Sequence, residues 1–508
     1  MKKLSALFLA IILVVSMLAA CTTPGGAGGE STPQNNNGDS TPAPDGNEGE
    51  GGEEDEVSEY AKVGLPEGLN FSGDTVYIAC WNSEQPEYDV DTEDLDGDPI
   101  NDAIYKRNLY TEQLLGIELE FLPIAGTGNV SEQVSWCDEA SKMMKDPNTP
   151  LDILSSYSRT AAMATLRGLN QDLTVYENLD LSKPWWPENV QKDFAIGDGL
   201  FIITGDISTN VLHMMYAVFY NKTLAESYGL GDLVQMVKNK EWTIDAWINM
   251  TSDIYEDMDD TAGKSGGDFF GAGFQYYHLD SIIQGAGFKL LKNTDDGIAF
   301  SDELFTDTFG SFVNKLGAWV KEDGVLNDSQ YADYAGTGFA EGRFIFQVNR
   351  AQVGFHLQDT DIDYGILPPP MLDPEAQDYK YVTSLGNPYS IYSMARDCRN
   401  GDRAAAVLQT LGYYGYTYTT PAIFEVTFQG KFSKQEDVME MWNIVREAVG
   451  FDLGILYMAN LSYLCDLPTN NAISQGKLWE NIMTTRQQQL LGRQLADLNA
   501  DLKDVLDA

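Results

Sequence analysis

The stretch DGLFIITGDISTNVLHMMYAVFYNKTLAESYGL (residues 198–230), followed after a polar interval by EWTIDAW (241–247), decides the fold. Residues 200–204 form a short apolar run of β character that Gly205 and Asp206 interrupt. Residues 211–220 are apolar at nearly every position, which predicts a strand buried on both faces. Asn221 fits a helix start, with the helix over 222–228 and Gly229 as its stop. Thr243 stands at the N-cap of a second helix carrying Trp247, Met250 and Ile254. A strand, a polar break, a buried strand and two capped helices describe a chain leaving one lobe and building another.

Upstream, residues 75–80 read as a strand with Trp81 and Asn82 at its carboxyl end. Asp98-Pro99 opens a helix over 100–115 that stops at Gly116. Residues 117–122 alternate as a strand, 131–144 as a helix, and 151–154 as a short buried strand running into Ser155-Ser156-Tyr157. Strand and helix in strict alternation predict a parallel α/β sheet, in which ligands sit beyond the carboxyl ends of the strands. Beyond residue 247 the sequence predicts helices over 281–290 and 302–321 and a strand over 343–348 ending at Asn349-Arg350. The segment DYGILP (363–368) and the polar run YVTSLGNPYSI (381–391) follow, then helices over 402–414 and 435–448 returning to the first lobe, and closing helices over 479–506.

The order of these pieces resembles the extracellular solute-binding proteins of ABC importers, family 1, the sugar-binding group that includes the maltose-binding protein. The features that carry the likeness are the polar break at 205–210, Tyr220-Asn221-Lys222 closing a buried strand, and the helix start Trp242-Thr243. The resemblance implies an α/β, two-lobed periplasmic-binding-protein-like fold of class II topology, with the lobes joined by hinge crossings. It divides the chain into lobe 1 over 69–207, lobe 2 over 208–383, a return to lobe 1 over 384–452, and C-terminal helices, mainly of lobe 2, over 453–508. It also implies a carbohydrate captured between the lobes, an oligosaccharide above all, delivery to the transmembrane subunits of a permease, a monomer, and no catalysis.

The termini and composition set the remaining expectations. Lys2 and Lys3, an apolar core, and Leu18-Ala19-Ala20-Cys21 form a signal peptide over 1–20 with a match to the bacterial lipobox, which implies cleavage before Cys21 and lipidation of that cysteine. The expected location is therefore the outer face of the cytoplasmic membrane. Residues 21–68 hold the lipidated cysteine and an acidic tether too poor in apolar residues to order itself. A net charge of −45 excludes nucleic acid as a partner, because such a surface repels polyanions. Cys80, Cys137, Cys398 and Cys465 allow three disulfide pairings and show no C-x-x-C spacing, so their redox state stays open.

A sugar site needs flat aromatic faces and planar polar groups, and the chain holds 9 Trp, 26 Tyr and 22 Phe, most of them needed for cores. Strand ends and crossings single out Trp81, Tyr157, Asp206, Asn210, Tyr276, Tyr277, Asn349, Asn387 and Tyr389. Asp206 and Asn387 read equally well as turn residues. Trp185-Trp186, between two prolines, reads as a packed loop, with a stacking platform as the alternative. Asp257, Asp259, Thr261 and Asp268 occupy calcium-loop positions, yet Ala262 replaces the glycine of that motif, so a solvated acidic turn is the preferred reading. No cofactor is expected. The histidines 213, 278 and 356 lack metal-ligand spacing, and no G-x-S-x-G is present. The rival readings are an extracellular glycoside-active enzyme, a surface adhesin, and the same fold binding a peptide or other small solute.

Overall fold

The strands, in chain order, are β1 (Asp74–Asn82), β2 (Ile117–Ala125), β3 (Leu151–Tyr157), β4 (Tyr216–Asn221), β5 (Tyr255–Glu256), β6 (Phe269–Phe274), β7 (Leu291–Thr294), β8 (Gly297–Phe300), β9 (Val325–Asn327), β10 (Phe344–Arg350), β11 (Tyr364–Leu367) and β12 (Ser390–Met394). They belong to a computed structural model that describes residues 57–507 apart from 83–94, 96, 127, 149, 296, 329, 331, 334–335, 359 and 425–435. The expected leader, Cys21, most of the tether and the loop after β1 lie outside the described residues, but the end of the expected tether is ordered: Glu59–Val63 is a helix capped by Ser58, and Val63 and Leu65 are buried in the core. From Val57 onward the chain makes one compact unit. No helix among the described residues is long and apolar enough to cross a membrane.

The first sheet has the order β12-β3-β1-β2, with β1 parallel to both neighbours and β12 antiparallel to β3. The helices Pro99–Leu115, Val130–Met143 and Ser158–Leu166 connect or follow its parallel strands, as the alternating pattern requires. Asp98 caps the first of these helices, its side chain accepting from the backbone N–H of Ile100 (2.8 Å) and Asn101 (3.0 Å). Gly116 ends it at φ +61°, a left-handed position that glycine adopts without a Cβ clash.

The second sheet runs β11-β4-β10-β6-β5, with β9 also paired to β6. β4 is antiparallel to β10 and β11, whereas β10 and β6 are parallel. Asn221 caps the helix Lys222–Ser227 through Leu224 N–H (3.0 Å), and Thr243 caps Ile244–Thr251 through Ala246 N–H (3.2 Å). The core of this half is aromatic. Trp247 stands edge-on to Trp319 at 4.8 Å, with Trp242 and Phe346 against it.

Three passages join the sheets, and each is held by backbone hydrogen bonds to another. Ile203 and Tyr392 exchange N–H to O bonds at 2.8 Å in both directions. Tyr216 N–H donates to Ser384 O (3.0 Å) and Gly386 N–H to Met214 O (2.8 Å). Thr383 N–H reaches Ala448 O (2.8 Å), and Gly450 N–H returns to Thr383 O (2.9 Å).

The continuous strand expected over 211–220 divides: Thr209–Met214 is a helix and β4 begins at Tyr216. Both pieces are buried on all sides, so the apolar run carries no period that separates a helix from a strand. The strand expected over 200–204 reduces to the single bridge at Ile203. The helix expected over 302–321 is Asp307–Trp319, because Thr306 supplies the cap and binds Phe309 N–H. The helix expected over 281–290 is the shorter Leu279–Gly285. Helix Glu436–Glu447 lies on the second sheet, with Trp442 against Phe219 (6.3 Å) and Glu440 paired to Lys238 (2.5 Å), rather than returning to the first.

Truncating Trp247 opens a void at the centre of the aromatic cluster. Trp247→Ala is expected to cost about 3–5 kcal/mol of unfolding free energy, read as a lower urea midpoint for the second half of the chain.

Candidate functional site

The carboxyl ends of β1 and β3 bring an aromatic pair together. The Trp81 ring stands edge-on to Tyr157 at 5.4 Å, and its indole N–H donates to Ser390 Oγ at 2.7 Å. Two residues beyond Leu151–Tyr157 the chain places Arg159, in the first turn of the following helix. Its guanidinium lies 5.2 Å from the Tyr157 ring centre, donates to the Tyr157 hydroxyl (2.6 Å) and to Gly128 O (3.2 Å), and approaches Met458 Sδ at 3.1 Å. Ser158 Oγ donates to Asn387 O at 2.7 Å. Tyr389 is buried beside this group, and burial followed by the nearby Tyr157 holds its phenol protonated. Trp81, Tyr157 and Tyr389 are thus buried side by side, with the Asn387 backbone held against them.

A second aromatic group follows β6. Tyr276 and Tyr277 pack edge to face at 5.0 Å, with Tyr276 exposed. His278 is buried beneath Tyr277 and Tyr216. Burial, with Arg350 adding to it, pushes its pKa well below the ordinary value, so the ring is neutral. Asp280 comes two residues later. Asp466, from the C-terminal segment, acts electrostatically on both groups. Burial raises its carboxyl while Cys465 and Arg159 lower it, and Asp466 in turn acts on Tyr276 and Asp280.

Asn349, at the end of β10, spends its side chain within its own half. Its amide donates to Asp333 O (2.8 Å) and its oxygen accepts Arg350 N–H (2.8 Å). Arg350, one position on, lies 5.9 Å from the Tyr216 ring centre and packs on Gly386, where a Cβ would collide with its Nε.

Asp206 lies elsewhere. Its carboxylate pairs with Arg446 (2.6 Å) and accepts the Thr420 hydroxyl (2.8 Å), and burial outweighs Arg446 so that its pKa is raised. It borders a separate recess of about 890 Å³ that Trp185, Trp186, Met215 and Tyr416 also line. Both tryptophans are buried, Trp185 edge-on to Tyr413 (5.4 Å) and Trp186 donating to Gln409 (3.3 Å), which is the packed-loop arrangement. Asn210 is fully buried, and among the described residues neither polar atom of its side chain has a hydrogen-bond partner.

In the acidic turn, carboxylate oxygens of Asp257, Asp259 and Asp268 lie within 4.8 Å of one another. Thr261 instead gives its N–H to Asp259 (2.6 Å). Asp268 is buried and accepts from Met258 N–H (3.0 Å), Ser265 N–H (2.8 Å) and the Tyr255 hydroxyl (3.2 Å). Burial alone would raise its pKa, and these donors outweigh it. The three acceptances hold the turn in shape. Among the described residues no disulfide joins Cys80, Cys137, Cys398 and Cys465.

Arg159, Arg350, Asp280 and Asp466 were not singled out by the sequence. The strand-end rule reaches Arg159 and Arg350 if extended by one or two residues. Asp466 sits in an irregular stretch (Leu464–Asp466, then a wide turn over Leu467–Ser474) that carries no periodic signal.

No family model and no curated protein sequence matches the chain. Solved structures do. A cyclo/maltodextrin-binding protein complexed with maltotetraose superposes with a TM-score of 0.54 at 15% identity, covering 84% of this chain and 98% of its own. UgpB from Mycobacterium tuberculosis, in complex with glycerophosphocholine, gives 0.50 at 14% identity over 84% and 100%. The fold is thus the α/β, two-lobed architecture of the extracellular solute-binding proteins.

The Asp206–Arg446 pair provides a test of its own. Arg446→Met strands a buried carboxylate and is expected to cost about 2–4 kcal/mol at pH 7. Because the folded-state pKa of Asp206 is already raised, and rises further without Arg446, the deficit shrinks as pH falls toward 5 and the carboxyl takes up a proton. Urea titrations of both proteins at the two pH values measure it.

Proposed function

We propose that this chain is the solute-capturing component of an ABC importer and that its solute is a carbohydrate, an oligosaccharide above all. One observation carries the reading. The strand ends of both sheets and the C-terminal segment converge on aromatic faces flanked by planar polar groups: Trp81 and Tyr157 with Arg159 on one side, Tyr276 and Tyr277 on the other, Asp466 between. Aromatic faces cover the C–H faces of a pyranose ring, and guanidinium and carboxylate groups bind its hydroxyls in pairs. The protein of similar fold that holds maltotetraose supports this ligand class.

Solute touching both walls favours the closed arrangement of the two lobes, and the three hydrogen-bonded passages serve as the hinge. Of the residues singled out in the sequence, Trp81, Tyr157, Asn387, Tyr389, Tyr276 and Tyr277 belong to this site. Asp206, Asn210 and Asn349, also read from the sequence as ligand-binding, fall outside it: Asp206 pairs with Arg446 beside the separate recess, Asn210 is fully buried, and Asn349 bonds to Asp333 and Arg350. The Leu18-Ala19-Ala20-Cys21 leader supports a lipid anchor on the outer face of the cytoplasmic membrane, with the acidic tether giving reach to a permease. The protein acts as a monomer and releases its solute unchanged.

A thermal-shift screen of the protein beginning at residue 22, against oligosaccharides, amino acids and peptides, tests the reading. Solute that binds only the folded state raises Tm. A rise with one sugar class and no product by chromatography is the expected result. A rise with peptides alone overturns the solute class, and conversion of the sugar overturns the carrier role. For the sugar so found, Tyr276→Ala is expected to raise Kd about tenfold with Tm of the free protein unchanged, since the ring is exposed and removes only a stacking face.

A further inference from the structure

We propose that Tyr463 binds the solute, and that the fold keeps this residue in a strained backbone conformation for that purpose. This rests on the reading of the site as a saccharide site and adds a stacking face to it.

The C-terminal segment runs from one aromatic group to the other. At its start, the helix Leu453–Leu456 packs on the helix Ser158–Leu166, which carries Arg159, and Met458 Sδ meets the Arg159 guanidinium at 3.1 Å. Arg159 in turn donates to the Tyr157 hydroxyl (2.6 Å). At its end, Leu467–Ser474 packs on the turn Tyr276–His278. Tyr463 stands between these two contacts in the chain. Its N–H donates to Met458 O (2.8 Å), and its carbonyl accepts Asp466 N–H (2.9 Å). Backbone bonds thus tie it to the residue that touches Arg159.

The backbone conformation there is uncommon. Ser462 and Tyr463 both lie in the left-handed region, at φ +51° and +55°. A Cβ crowds the following carbonyl in that region, and a bulky aromatic residue is a rare occupant of it. Ser462 is pinned to Gln494 of the closing helix by side-chain hydrogen bonds of 2.8 and 3.0 Å. Packing of the Tyr463 ring does not offset the strain. Leu461 and Leu464, on either side, are fully buried, whereas Tyr463 is 41% exposed. Among the described residues no ring contact, hydrogen bond or ion pair engages its side chain. Strain that the core does not explain is kept where a function needs the geometry. An exposed phenol on the segment that joins the two aromatic groups offers a stacking face and a hydroxyl, the two kinds of contact a pyranose takes.

A second left-handed pair supplies the control. Asp378 and Tyr379 lie at φ +51° and +57°, and Tyr379 is also exposed. That pair closes a turn, with Tyr379 N–H donating to Pro374 O (2.7 Å), and it lies outside the C-terminal segment.

Isothermal titration of the protein with maltotetraose, cellotetraose and xylotetraose tests the assignment, with Tm of the sugar-free protein measured for each variant. For whichever sugar binds, Tyr463→Gly is expected to raise Kd about tenfold while Tm stays level or rises, because glycine takes the left-handed conformation without strain. Tyr463→Phe keeps the stacking face and is expected to bind within about threefold of the unaltered protein. Tyr379→Gly relieves the same strain and leaves Kd unchanged. An unchanged Kd in Tyr463→Gly, or a loss that Tyr463→Phe or Tyr379→Gly reproduces, overturns this inference and leaves the saccharide-carrier reading standing. A loss accompanied by a Tm fall of more than about 5 °C does the same, because it assigns the ring to the fold. Failure of all three sugars to bind the unaltered protein overturns both.

Discussion

The structure depends on the backbone hydrogen bonds that tie its three passages together. Ile203 against Tyr392, Tyr216 and Met214 against Ser384 and Gly386, and Thr383 between Ala448 and Gly450 form one continuous band. Each passage leaves one sheet and enters the other, so this band fixes where the carboxyl ends of β1 and β3 stand relative to β6 and β10. It is nearly all backbone, and the side chains packed on it are buried. Backbone groups cannot be left unpaired in such a place without a large cost. That requirement explains why Gly386 lies directly against Arg350: a side chain there would push the return passage off its partner.

Electrostatics distinguish the Asp206 recess from the surroundings of Arg159. Asp206 and Arg446 satisfy each other, with Thr420 completing the carboxylate, so that recess reads as joinery between helix Glu436–Glu447 and the first crossing. The aromatic group at the ends of β1 and β3 is unlike it. Arg159 spends its donors on a phenol, a carbonyl and a thioether, none of them a carboxylate, in a chain with 77 acidic residues and 32 basic ones.

Much of this was legible in the sequence because local chemistry decided it. Asp98-Pro99, Asn221 and Thr243 cap the helices they were read to cap, and the alternation through residue 157 gives the parallel β3-β1-β2 core. Trp81 and Tyr157 were reachable by the strand-end rule alone. The failures share a cause. Residues 209–214 became a helix because an all-apolar run has no face to read, and helix Glu436–Glu447 went to the second sheet because Trp442 meets Phe219, a contact no local pattern encodes. Asp280 and Asp466 stand far apart in the sequence, so their electrostatic coupling belongs to the tertiary fold.

The central claim is that one solute touches both sheets at once. Hydrogen exchange of the backbone, with and without a saturating oligosaccharide, reads this directly. The account predicts simultaneous slowing at Trp81 and Asn82, at Tyr157 to Arg159, at Tyr276 to Asp280 and at Leu464 to Asp466, with the sugar recovered intact. Slowing confined to one sheet, or to the Asp206–Arg446 recess, would contradict it.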